Sequence, residues 1–171
     1  MQQSKDNLFT CFQEDHKVLG SGFHQLSAHL RTGDTPEACA IAQYLDEAAG
    51  AHIAFEETAF YPRLAPLFGQ DEADRMRQEH QQGLAVIQAL IKQPPAEPLD
   101  RGTCERLLEQ SEAMEAHIAD CGELFEAMGR IPAEEQRVLH QQLLACRQRQ
   151  PKWTDFAAER NSTKGHRHEA H

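Results

Sequence analysis

Four histidines constrain this chain more than any other feature. Each sits in an apolar seam of helical spacing. His16 falls among Phe9, Phe12, Leu19, Phe23, Leu26 and Leu30, and His52 among Ile41, Leu45, Ala48 and Ala59. His80 falls among Ala73, Met76, Leu84, Ile87 and Ile91, and His117 among Leu107, Met114, Leu124 and Met128. Steps of three and four residues place such side chains on one helix face, toward a core. His16 and His52 are 36 residues apart, and His80 and His117 are 37 apart. The second member of each pair aligns directly, HIAFEETAF (His52–Phe60) over HIADCGELF (His117–Phe125). Two equivalent helical hairpins, neither able to bury its own face, predict an all-α fold. The expected form is an up-and-down antiparallel four-helix bundle with the four histidines at similar depth.

The rest of the chain agrees with that frame. Ala, Leu, Gln and Glu are abundant, β-branched residues are few, and no period-two alternation occurs. Helices are predicted over about Asp6–Leu30, Pro36–Pro62, Asp71–Lys92, Asp100–Met128 and Pro132–Arg149. Thr35 is the expected N-cap of the second, and Pro94–Pro98 a stiff breaker after the third. The expected organisation is one bundle over 1–150, with a core at 8–130 and an added helix at 132–149. Residues 151–171 read as a polar, disordered tail holding a single Trp153 and ending in GHRHEAH. Ala48, Ala49, Gly50 and Ala51 leave two alternatives, room for a small ligand or close helix packing.

A net charge of −10 argues against nucleic acid as a partner. No apolar run approaches the ~20 residues of a membrane span, and the N-terminus lacks a secretory h-region, so a cytoplasmic location is expected. Five cysteines without a CxxC suit reduced thiols, most of them small apolar filler.

The chemistry is concentrated at His52 and Glu56. Their spacing puts an imidazole and a carboxylate on one buried face, where a charge is costly unless it is paired or bound to metal. One histidine on an apolar face is ordinarily a satisfied core residue. Four on successive helices, with a carboxylate one turn after one of them, point instead to a metal such as iron, zinc or manganese. The absence of any ExxH argues against a ferritin-like site.

Over roughly residues 8–130 the sequence resembles the hemerythrin-like proteins with HHE cation-binding domains. The resemblance rests on EDH (Glu14–His16), HIAFEETAFYP (His52–Pro62), EH (Glu79–His80) and HIADCGELF (His117–Phe125). It implies a non-haem di-iron centre binding dioxygen or nitric oxide, or a role in handling iron. It also implies His16 and His52 on one metal, His80 and His117 on the other, and Glu56 bridging. Two usual ligands are missing: Leu84 stands where a further histidine is expected, and Cys121 and Gly122 where a second carboxylate is expected. Cys121 is either a thiolate ligand, favouring zinc or ferrous iron, or a plain core cysteine. Two metals and a single metal both remain open. Glu123 points away, Asp120 lies on another flank, and Asp15 and Tyr44 are candidate partners behind the ligands. Phe23, Phe55, Leu84, Met114 and Ile118 are expected to line the site. His24 and His29 are expected to face solvent, His140 to lack a carboxylate partner, and His166, His168 and His171 to sit in the tail. No nucleophile with an adjacent base and no phosphate loop favours catalysis. The alternatives to a binding or sensing protein are a metal-dependent oxidase and an interaction protein with a reduced or decayed site.

Overall fold

The computed structural model describes residues 6–120 and 122–165, and every described regular element is helical. The helix α1 covers Leu8–Thr32 and α2 covers Thr35–Phe55. After a single wide turn at Glu56–Phe60 come α3 (Tyr61–Phe68) and α4 (Gln70–Lys92). Then follow α5 (Arg101–Ala119), α6 (Gly122–Gly129), α7 (Ala133–Arg149) and α8 (Trp153–Gly165).

Local chemistry sets the ends. The Asn7 side chain accepts the Thr10 N–H at 3.0 Å to start α1, and Gly33 closes it in the left-handed region at φ 70°. Asp34, rather than Thr35, caps α2 by accepting the Glu37 N–H at 3.3 Å, and Pro36 occupies the first turn. Asp100 caps α5 through the Thr103 N–H at 2.9 Å.

Four long helices make the frame: α1 packs on α2 and α5, and α4 packs on α2 and α5. Their buried side chains form two clusters. One holds Leu19, Phe23, Leu45, Ile53, Ile87 and Met114, and the other Phe12, Phe55, Phe60, Tyr61, Met76 and Met128. In α1 and α4 the histidine falls where the sequence passes from one cluster to the other. Ile91, expected to face inward, is exposed, and so is Val138. Ile91 lies one residue before the end of α4, and Val138 lies on the outer side of α7, whose inner face is Leu139, Leu143 and Cys146.

The expected continuous helices break one turn beyond two of the histidines. After His52 the ladder widens over Glu56–Phe60, and the Tyr61 N–H bonds to the Glu56 carbonyl five residues back. Pro62 explains the location, because it has no N–H for the Thr58 carbonyl and its ring would crowd that oxygen in a regular helix. The backbone then continues through Pro62 and Pro66 to Phe68 rather than stopping. In the second hairpin, α5 ends at Ala119 and α6 starts at Gly122.

The tail differs most from expectation. Residues 153–165 are helical, and α8 packs on α2 and α4. Trp153 is 2% exposed and lies edge-on to Phe23 with ring centroids 6.3 Å apart. Buried Asp46 on α2 starts α8, accepting the Thr154 N–H at 2.9 Å and its hydroxyl at 3.0 Å. The chain reaches this position because α2 carries a glycine where Pro151 crosses. A Cβ on Gly50 would lie 1.8 Å from the Pro151 carbonyl oxygen. Of the two alternatives for the small residues at 48–51, close packing is the one observed at Gly50. The signal was the helical spacing of Trp153, Phe156, Ala157 and Arg160, with apolar area enough to pay for ordering a polar segment. The histidines His166, His168 and His171 lie outside the described residues.

Candidate metal centre

Glu56 lies at the middle of the four-helix frame, 1% exposed. One carboxylate oxygen, Oε1, is 3.1 Å from His52 Nε2 and 3.7 Å from His16 Nε2. The other, Oε2, is 3.1 Å from His80 Nε2. Donor atoms of His16, His52 and Glu56 form one compact group, and those of Glu56, His80 and His117 form a second. A single side chain thus sits between two pairs of imidazoles, one pair from α1 and α2 and the other from α4 and α5.

The outer nitrogens are tied to carboxylates. His52 Nδ1 is 3.0 Å from Asp15 Oδ2, and His80 Nδ1 is 3.1 Å from Glu57 Oε1. His117 Nδ1 makes a short contact with Glu79 Oε2. Each of these carboxylates meets an arginine. Arg147 on α7 donates to Asp15 at 2.8 Å, Arg160 on α8 donates to Glu57, and Arg75 donates to Glu79. An Nδ1–H held by a carboxylate fixes the ring and leaves Nε2 as the donor to whatever lies at the centre. Asp15 therefore stands where the sequence placed it, behind a histidine. Tyr44 does not; it is 53% exposed on the outer face of α2. Glu57, Glu79, Arg147 and Arg160 were missed, since none lies on an apolar seam and two belong to the appended helices.

Electrostatics follow the same geometry. Burial opposes charge on His52, but the Glu56 and Asp15 carboxylates outweigh it and push its pKa up to about 9. Burial likewise opposes charge on His80, and Glu56 and Glu57 raise it. His16 and His117 move the other way, lowered chiefly by burial. Burial would raise Glu56, yet His52, His16 and His80 hold it well below the usual carboxylate range. Asp15 and Glu57 are also lowered: burial opposes this, but their histidine and arginine partners prevail.

Aromatic side chains close the site. Phe12 lies 4.2 Å from the His16 ring and 4.8 Å from His52, and Trp153 meets His80 edge-on at 6.5 Å. Phe23, Phe55, Leu84, Met114 and Ile118 are all buried. Near His117 a surface pocket is lined by Phe68, Arg75, Met76, Glu79 and Leu124. Cys121 lies outside the described residues. His24 is exposed, as expected, beside Glu115, whereas His29 is only half-exposed and pairs with Asp34 at the end of α1. His140 does meet a carboxylate: its Nε2 is 3.6 Å from Asp6 Oδ1 and 3.5 Å from Cys11 Sγ. Asp6 precedes α1, so α7 sequence alone could not reveal that partner.

One observation tests whether these groups suit a cation. His52 Nε2 and Glu56 Oε1 are both buried and 3.1 Å apart, yet neither makes a hydrogen bond. Buried polar atoms are ordinarily bonded, and an orphan costs about 1–3 kcal/mol. Two such atoms side by side without bonding each other suit two donors directed at one ion. Imidazole and carboxylate are donors for iron, zinc or manganese. The residues fit.

A helical protein with two imidazole pairs around one buried carboxylate has the makings of a cation-binding domain. The sequence bears this out at the level of family, because the hemerythrin HHE cation binding domain matches residues 8–128. The chain belongs to that family. Searches of curated proteins and of solved structures found no match.

Proposed function

We propose that this protein holds two iron ions side by side in an up-and-down four-helix bundle and uses them to bind or sense dioxygen or nitric oxide. The observation that carries this reading is the division of Glu56, one oxygen toward His16 and His52 and the other toward His80. A carboxylate used through both oxygens, with an imidazole pair on each side, suits a bridge between two ions better than a one-ion site. His16 and His52 would hold the first ion, and His80 and His117 the second, with Glu56 shared. Iron bound here would supply open coordination positions for a diatomic ligand.

The protein's own part is to hold, shield and neutralise. Asp15, Glu57 and Glu79 orient the rings through Nδ1, which keeps Nε2 available. Phe12 and Trp153 exclude water on the two sides. The pocket beside His117 favours approach of a small ligand from that end.

Metal analysis of the purified protein, with optical spectra in air and after reduction, tests the reading. Two irons per chain and a ligand-to-metal band that changes on reduction are expected. One zinc per chain and no colour would overturn it.

A further inference from the structure

Tyr61 is a group that the sequence reading gave no role. It is fully buried, and its Oη lies 3.0 Å from Glu56 Oε2 and 3.0 Å from His80 Nε2. Those two atoms are themselves 3.1 Å apart. Three donor atoms thus form a nearly equilateral triangle. Ligand bonds of ~2.1 Å at right angles put neighbouring donors ~3 Å apart, so such a triangle is one face of an octahedral ion's ligand set. The phenol also lies on the side of Glu56 occupied by His80 and His117, the half whose second carboxylate the sequence lacks.

The backbone explains how Tyr61 comes to be there. Five residues along a regular α-helix is a turn of about 500°, which would place Tyr61 some 140° away from Glu56. The wide turn at Glu56–Phe60 takes up an extra residue and brings both side chains to one face. Such turns recur at functional sites, since they cost a regular ladder bond for no gain in packing. The Arg77 guanidinium carbon stands 5.9 Å from the centre of the Tyr61 ring, a cation over its face.

Building on the two-ion reading above, we propose that Tyr61 is a protein ligand of the second ion, bound as phenolate beside Glu56, His80 and His117. Coordination exchanges the phenolic proton for the ion, and the proton leaves to solvent. The second position would then be richer in anionic donors than the first, and would favour the ferric state.

The test loads the full chain with ferrous iron under anaerobic conditions, admits air, and records metal content, visible spectrum and resonance Raman spectrum. The wild type should carry two irons, a phenolate-to-iron charge-transfer band and tyrosinate ring modes that shift when ring-deuterated tyrosine is incorporated. Tyr61→Phe should lose band and modes while keeping at least the iron held by His16 and His52. His52→Ala, which alters the other half, should keep them. The chain has two tyrosines, and Tyr44 is exposed, so the modes have one credible source. Bound iron without tyrosinate modes, or modes that survive Tyr61→Phe, would overturn the ligand assignment and leave the two-ion reading standing. A wild type that binds no iron would overturn both. If Tyr61→Phe fails to fold, the isotope shift in the wild type still decides.

Discussion

The two sides of Glu56 carry the same pair of imidazoles but different surroundings. On the first side, His52 is backed by Asp15 and Arg147, and Phe12 covers both rings. On the second, His80 is backed by Glu57 and Arg160, His117 by Glu79 and Arg75, and Tyr61 Oη stands 3.0 Å from both Glu56 and His80. The lesson is that a duplicated hairpin repeats its histidines readily and the carboxylate only once. The second half draws its neighbours and its shielding from elsewhere in the chain, from a wide helical turn and from a helix beyond the repeat.

That contrast can be attacked in order of expected effect. Glu56→Ala strikes both sides at once. Metal content should fall to near zero, and the loss of a buried partner for His52 and His80 should cost about 3–5 kcal/mol in the metal-free protein. Retention of two metals would show that Glu56 is not shared. Trp153→Ala tests whether α8 belongs to the second side. A loss of about 3–5 kcal/mol is expected for truncating a buried Trp, measured by chemical denaturation. An effect within experimental error would mean that α8 is only laid on the surface. His52→Ala and His80→Ala should each leave one iron per chain, and the survivor should differ in spectrum between the two variants. Identical spectra would erase the contrast between halves.

Smaller effects should come from the groups behind the rings. Asp15→Asn should weaken metal on the first side, and Arg160→Ala on the second, by roughly 10–100-fold in affinity. Competition with a chelator would measure both. The smallest effect is that of pH on the metal-free protein. His52 rises from 6.5 to about 9 in the folded state, so its charged form stabilises the fold below about pH 6.5. That stability is lost as pH rises through about 9, and the melting temperature should fall over this window. Metal requires the neutral ring, so affinity should rise with pH over the same range. A metal-free melting temperature that rises with pH would contradict the pairing with Glu56 and Asp15.

The helical class and the four histidines were legible because apolar seams repeat with the helix period, and a polar residue inside a seam stands out. The partners of those histidines were less so. Asp15 could be proposed because it adjoins His16. Glu57 and Glu79 are equally adjacent to named residues, but nothing in a single helix says which flanking acid will meet a ring on another helix. Arg147 and Arg160 reach the site only through packing between distant segments. Trp153 was hidden by its neighbours, since a polar composition around one aromatic reads as a solvated tail until a docking surface is known. The surface that receives it is prepared on α2 by Gly50 and Asp46, each unremarkable alone.

The wide turn at Glu56–Phe60 makes the spacing of this segment a matter of counting rather than of composition. Removing one residue between Glu57 and Phe60 would leave Tyr61 four residues from Glu56, and an ordinary ladder of about 400° would keep both on one face. Straightening the ladder without shortening it would instead swing Tyr61 about 140° away from Glu56. The extra residue and the wide turn therefore compensate each other, and either one alone would displace everything beyond Phe60. A one-residue deletion here should disturb the centre less than a change that forces a regular helix at the present length.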